Sequence, residues 1–466
     1  MPYVSARVLN AANWFVSMAI IAHLGKEAVA AGVLMYSTVV TLQVVVWSML
    51  YSVSVVVGRA YGAGEMAGIG RIVQAGCVLA LLIGLPTSIL LWHVDSILLF
   101  LKQPPALVTL AKPYFHIMAF SILPSLFYVC FYKFSIGVLK SRLVFIAMAI
   151  AVPVNLFLTY VLTLGKFGFP SLGIVGVAYA NLAMYVGLCG GLFFYFCWCK
   201  DFKVFNLLPK KIKNNQLNYK TILFTYFNKA SRSDSLIQNC EPSDSHFPLK
   251  QLFRIGWPIS IEWGAMMLTY TFSTYMIGWI GVSALAAHQV VTQCVNLVIM
   301  VPYSLAHITA VLVAQRIGAK QREFIGKIGY AGILVSLLVV GLASLFYWIA
   351  PKTLIAIYIN LQDVANLPII ALAVSLLVIM GITQISDTIG AVMTGALRGF
   401  HDTLRPMLIS IITNWLISLP LGYFLAFVWY QGAVGVYFGC LAGSIISSVL
   451  LLKRWQKISQ VGKLIF

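Results

Sequence analysis

Apolar runs of 20 or more residues, separated by short polar connections, occupy 2–24, 33–57, 72–92, 113–137, 143–164, 173–199, 253–280, 289–313, 328–349, 367–395, 406–427 and 433–452. None alternates in the manner of a strand. A span of about 20 apolar residues crosses a bilayer as a helix, and lipid offers the backbone no partner outside itself. The pattern therefore predicts an all-α, polytopic membrane protein of twelve transmembrane helices.

Composition excludes the alternative of a water-soluble fold. Of 466 residues, 61% are hydrophobic and only 9% charged, against about 25% charged in soluble domains, and mean hydropathy is +0.93. The net charge of +19 does not point to nucleic acid, because the cations lie in clusters between apolar runs. Alternate connections divide them into 24 on one side and five on the other, with Arg7 and Lys133 inside runs. By the positive-inside rule both termini and residues 200–252 are expected in the cytoplasm. Eight scattered cysteines lack the spacing of a zinc site or a disulfide framework. Arg7, Asn10 and Asn13 interrupt the first run, which is expected to stay as a helix and not to be cleaved as a signal.

A shift of 256 residues superimposes the chain on itself. It places Gly25, Ala28, Ala30 and Ala31 on Gly281, Ala284, Ala286 and Ala287, and Gly62-Ala63 on Gly318-Ala319, with 16 identities over positions 24–76. At offsets of 258 to 259, Gly137 matches Gly395, Asn155 matches Asn414 and Gly173 matches Gly432. Two homologous six-helix lobes follow, 1–199 and 253–466, joined by a polar cytoplasmic linker over 200–252. Six spans per copy make this a parallel repeat, as in transporters that rock two bundles about a midplane site.

Ionisable groups inside a bilayer cost at least about 2.5 kcal/mol each on insertion scales, so those that remain mark functional sites. Of twelve acidic residues, only Glu262 and Asp387 fall well inside predicted helices, the seventh and tenth. Desolvation favours the neutral form of a carboxyl group, so an acid in a cavity can exchange a proton against a cation. The alternative role is that of interhelical hydrogen bonder or ion-pair partner, with Arg7 and Lys133 as the bases within spans. Thr383 and Gln384 beside Asp387 suit a cavity wall. Gln289, Gln293 and Asn296 recur on one face of the eighth span, where lining a cavity and bonding between helices fit equally well. Met266, Met267, Tyr270 and Tyr275 offer surface to bulky cations or pack a core. His288 and His307 suit structural hydrogen bonding. Phosphate-binding, dinucleotide and hydrolase motifs are absent, which argues against a pump or an enzyme.

Ala286-Ala287-His288-Gln289, Met300-Val301-Pro302-Tyr303-Ser304 with Gly318, Asp387 with Gly395-Ala396-Leu397-Arg398-Gly399, and Gly165-Lys166-Phe167-Gly168 with Gly173-Ile174-Val175-Gly176 stand in this order over nearly the whole chain. The sequence thereby resembles the multidrug and toxic compound extrusion (MATE) transporters, in particular their NorM-like bacterial branch. The resemblance implies two lobes around a V-shaped cavity and H⁺- or Na⁺-driven export of amphipathic, cationic compounds, with no cofactor. Asp387 falls on the family's acid of the tenth helix. The acid of the seventh helix falls on Met266, one turn from Glu262, and Glu262 is expected to replace it, with Na⁺, where it is the coupling ion, at Glu262 and Asp387. The first-helix aspartate position falls on Ser17 and the fifth-helix pair on Ala151 and Asn155, so the N-terminal lobe lacks a carboxylate site. Met266, Tyr270, Gln293, Asn296, Thr383, Gln384, Ser17 and Asn155 are the expected cavity residues. The expected partners are small organic cations, the coupling ion and membrane lipids, with the chain a monomer in the cytoplasmic (inner) membrane. A lipid-linked oligosaccharide flippase of the same superfamily is the alternative, but its cavity needs more basic residues than these spans carry.

Overall fold

The computed structural model describes residues 26–100, 104–199, 202, 204, 205 and 248–464, together with 5, 9, 13, 16, 17, 20 and 21. Most of the first apolar run, Arg7, and linker residues 206–247 lie outside this set. The described chain is helical throughout. In the N-terminal lobe, α1 (Lys26–Met49) and α2 (Tyr51–Gly62) form one span broken by a turn at Leu50. They are followed by α3 (Met66–Trp92), the short α4 (Val94–Phe100), α5 (Pro105–Gly137), α6 (Ser141–Leu164) and α7 (Ile174–Trp198). In the C-terminal lobe, α8 (Pro248–Ile280), α9 (Val282–Gly318), α10 (Glu323–Ile349), α11 (Pro351–Ile355) and α12 (Leu367–Gly399) precede an eleventh span. That span begins as α13 (Leu404–Ile412), winds through π-turns at Thr413–Ser418 and Phe424–Val428 around α14 (Leu419–Tyr423), and gives way to α15 (Ala433–Leu464).

Ten of these helices are long and apolar enough to cross a membrane. Helix α8 is not among them: even its charge-free half, residues 263–280, is rich in Thr, Ser, Tyr and Trp, which lower its hydropathy. The N-terminal lobe has its own apolar core, which also takes in Leu252, Ile255 and Ile259 from the start of α8. The C-terminal lobe has two cores, one on each side of its midplane. Linker boundaries move inward: Phe202 and Phe205 are buried in an aromatic cluster with Phe134 and Phe196, and α8 begins at Pro248.

Close packing fixes the register of the repeat. A Cβ added to Gly76 would meet Val53 and Cys130, and one added to Gly332 would meet Thr309 and Val392. A Cβ on Gly137 would lie 2.6 Å from Val57 Cγ1 and 3.1 Å from Ser54 O, and one on Gly399 would lie 2.8 Å from Val313 Cγ1 and 2.7 Å from Ala310 O. The second and third spans keep the offset of 256, whereas α12 stands 262 residues after α5. Gly137 thus corresponds to Gly399, not to Gly395. A slip of four residues is close to one turn of 3.6 and leaves the same face inward, so sequence identity does not separate the two registers. Gly176 against Leu162 and Gly435 against Leu425 set the end of the eleventh span at an offset of 263, which removes the Asn155–Asn414 match.

Candidate functional site

Glu262 and Asp387 both lie within the C-terminal lobe, on α8 and α12. Glu262 is held in an ion pair: Arg398 donates through Nη2 to Oε2 at 2.9 Å, and Ser410 donates to Oε1 at 3.3 Å. Both charged side chains are 12% exposed. Its base among the described residues is therefore Arg398 and not Lys133; Arg7, the other expected base, lies outside them. Helix α12 runs one turn past the predicted span and carries Arg398, counted among the loop cations, into the protein.

Asp387 has no ion-pair partner among the described residues and accepts a short hydrogen bond from Ser444 of α15. It lines a cavity with Ile299, Pro302, Tyr303, Val340, Gln384, Thr388 and Ala391, whose free space of about 10 Å³ is roughly that of one water centre. Its polar groups are mostly acceptors. Gln384 is 2% exposed and donates through Nε2 to Val295 O at 3.3 Å, while its Oε1 is buried without a partner among the described residues. Thr388 donates to Gln384 O at 2.7 Å. Tyr303 stands within electrostatic reach of Asp387, Glu262 and Arg398 and donates to Met266 Sδ at 3.4 Å. Among the described residues no three His, Cys, Asp or Glu side chains group as metal ligands.

By the structural register, Asp387 and Tyr303 correspond to Ser125 and Trp47, and Trp47 Nε1 donates to Ser125 Oγ at 3.3 Å. The N-terminal lobe therefore carries a neutral, hydrogen-bonded pair at the equivalent positions. Arg398, Tyr303 and Ser444 join the site although the sequence pattern does not mark them as site residues. For Ser444 the available signal is the stripe Tyr437, Ser444, Ser448 along one face of α15.

The other expected cavity residues divide by exposure. Tyr270, Gln293 and Asn296 are exposed, as is Gln289, and Met266 is half-buried. Ser17, Asn155 and Thr383 are buried: Asn155 donates to Asn181 Oδ1 at 3.3 Å and Thr383 to Ile379 O at 3.0 Å. These three are closed to a bulky cargo in this state, because neighbouring helices cover them. His288 sits between Tyr437 Oη at 2.8 Å and Thr274 Oγ1 at 3.2 Å.

A second polar constellation lies in the seam between the lobes. His307 of α9 meets Ser54 Oγ at 2.8 Å through Nε2 and Lys133 Nζ at 3.4 Å through Nδ1, and Lys133 Nζ lies 3.2 Å from the centre of the Tyr51 ring. An ammonium group only donates, so Nδ1 accepts, Nε2–H donates to Ser54, and Ser54 donates to Tyr51 O at 2.8 Å. Nearer the basic end, Gln315 donates to Gly137 O at 2.8 Å and Arg59 Nη1 reaches His401 Nδ1 at 3.5 Å, again across the lobes.

A family model described as MatE matches residues 2–161 and 258–424. The chain belongs to the MatE family. The two matched segments of this MatE protein begin 256 residues apart and end 263 apart, the drift that the glycine contacts show. Similar relatives are a protein named "Probable multidrug resistance protein NorM" from Brucella suis biovar 1, 28% identical over 98% of this chain and 91% of its own length, and one of the same name from Burkholderia mallei, 30% identical over 98% and 90%. A solved MOP superfamily transporter from Pyrococcus furiosus shares the fold, with a TM-score of 0.82 at 17% identity over 99% of this chain and 94% of that one. The MatE chain is thus a multi-pass membrane transporter and not an enzyme.

Proposed function

We propose that the chain is a multidrug antiporter that exports amphipathic, cationic organic compounds by alternating access, driven by H⁺ or Na⁺ at Asp387. The observation that carries this reading is the cavity beside Asp387, with room for one water or bare ion and an orphaned acceptor, Gln384 Oε1, in its wall. Glu262 has its charge taken up by Arg398 in this state, so Asp387 is the primary coupling acid and Glu262 contributes when that pair opens. Relatives named multidrug resistance proteins support organic cargo.

With the basic end in the cytoplasm of the inner membrane, the seam bonds of His307, Gln315 and Arg59 hold the lobes together on the cytoplasmic side, so a path for cargo between the lobes would open on the opposite side. The exposed stripe Gln289, Gln293 and Asn296, with Met266 and Tyr270, offers a polar and aromatic surface suited to an organic cation.

The test is transport in proteoliposomes with a preset H⁺ or Na⁺ gradient. A cationic substrate is expected to collapse one gradient through the wild-type protein, and Asp387→Asn is expected to abolish this while leaving the melting temperature within a few degrees. Undiminished coupled export by the variant would overturn the role of Asp387. Lipid scrambling without substrate–ion exchange would favour the flippase.

A further inference from the structure

Outside the carboxylate site and the seam, thiols converge in the N-terminal lobe. Cys77 of α3 and Cys130 of α5 bring their sulfurs to 4.0 Å, and Cys189 of α7 lies within electrostatic reach of both. Cys77 also opens onto a cleft of about 190 Å³ lined by Val73, Gln74, Phe131, Phe193, Phe196 and Cys197. Small apolar cysteines commonly serve only to pack. The other lobe shows that packing alone does not demand sulfur here, since the positions equivalent to Cys77 and Cys130 are Ile333 and Val392. Gly76 brings the two helices close, for a Cβ there would lie 2.8 Å from Cys130 Sγ.

We propose that Cys77 and Cys130 form a two-thiolate site for a soft divalent ion of linear coordination, the class to which Hg(II) belongs. Thiolates select soft metals, and two metal–sulfur bonds of about 2.3 Å span roughly 4.6 Å, slightly more than the present separation. No third ligand completes a metal cluster among the described residues, which disfavours tetrahedral Zn(II). Charge selects further: two thiolates with a divalent ion are neutral, whereas a monovalent ion would leave a net charge in the lobe, where charge is costly. Binding forms two metal–sulfur bonds, breaks two S–H bonds, and releases two protons through the cleft with no change of oxidation state. The bound ion ties α3 to α5, and Cys77, half-buried on the cleft, is its entry point.

The test uses the full chain with Cys189, Cys197, Cys199, Cys240, Cys294 and Cys440 replaced by serine, purified under nitrogen and titrated with HgCl₂. Saturation is expected at one Hg(II) per chain, and stripping the ion should require at least about tenfold more of a monothiol competitor than in the same chain carrying Cys77→Ser, because the second thiol binds intramolecularly. Cys130→Val, which installs the residue of the other lobe, should weaken binding equally without lowering the melting temperature. Two ions per chain, equal sensitivity to the competitor, or a disulfide already present on isolation would each overturn the site.

Discussion

Tyr51 and His307 occupy equivalent positions of the two repeats, 256 residues apart, and their rings pack against each other at 4.4 Å. Residues that match under a two-fold relation and also touch must lie on the axis, so this pair marks the pivot line between the lobes. The same reciprocity holds further along. A Cβ on Gly62 would lie 2.0 Å from Gln315 O, and one on Gly318 would lie 2.0 Å from Arg59 O, with Arg59 and Gln315 themselves equivalent.

Substituting His307 tests the seam. His307→Phe keeps the ring stack but removes both hydrogen bonds, leaving Ser54 and the buried Lys133 each short of one. At about 1–3 kcal/mol for a buried group left unsatisfied, the closed seam should weaken enough to raise cysteine labelling at position 314, buried against Val55 in the seam, in an Ala314→Cys background several-fold relative to the unsubstituted His307. Equal labelling would show that the bonds do not hold the lobes together.

At Gly62 and Gly318 the helices approach too closely for any side chain. Gly318→Ala should either destabilise the protein by roughly 1–3 kcal/mol, the usual cost of overpacking, or shift it to the state in which this end is open. Gly62→Ala, its symmetry mate, should do the same to a similar degree. Melting curves and accessibility of the basic end to membrane-impermeant reagents check both, and a silent alanine at either position would refute the close contact.

Much of this architecture was legible in the apolar runs and the self-similarity, because bilayer thickness and a glycine-rich seam leave direct traces in sequence. The partner of Glu262 was not legible. Arg398 sits 136 residues away in sequence, at a helix end that hydropathy assigns to a loop, and only tertiary packing brings the two together. Register in the second half was equally hidden, since Gly395 and Gly399 stand one turn apart on the same face. The small cavity at Asp387 depends on Pro302, Tyr303 and Gln384 meeting from two helices, a convergence with no spacing signature.

The Glu262–Arg398 pair should behave as one unit. Removing one partner of a buried pair commonly costs 3–5 kcal/mol, because the other charge is left uncompensated, whereas removing both costs far less. Glu262→Gln and Arg398→Met should therefore each destabilise strongly, and the double variant should be more stable than either single one. A double-mutant cycle read by denaturation measures this. Additive losses would mean that the pair is not coupled and that Glu262 is available as an independent coupling acid.

His401 supplies a pH dependence at the basic end. It lies in the connection between α12 and α13 with a left-handed φ of 64°. Burial, and then the charges of Arg59 and Arg254, push its pKa down to about 3. Arg59 donates to its Nδ1, so protonating that nitrogen would break a bond between the lobes. Because the folded pKa lies below the unfolded value of about 6.5, the unfolded chain binds more protons in the interval. The contribution to stability is thus complete above pH 6.5 and lost progressively as pH falls toward 3. Between pH 7.5 and 5.5 the loss should be roughly 1 kcal/mol, about what one pH unit below the unfolded pKa implies. His401→Asn removes the titrating group, and asparagine tolerates the left-handed backbone. The variant should therefore lose less stability over this interval than the wild type does. Melting both proteins in detergent at the two pH values decides the matter, and parallel pH profiles would exclude His401 as the source.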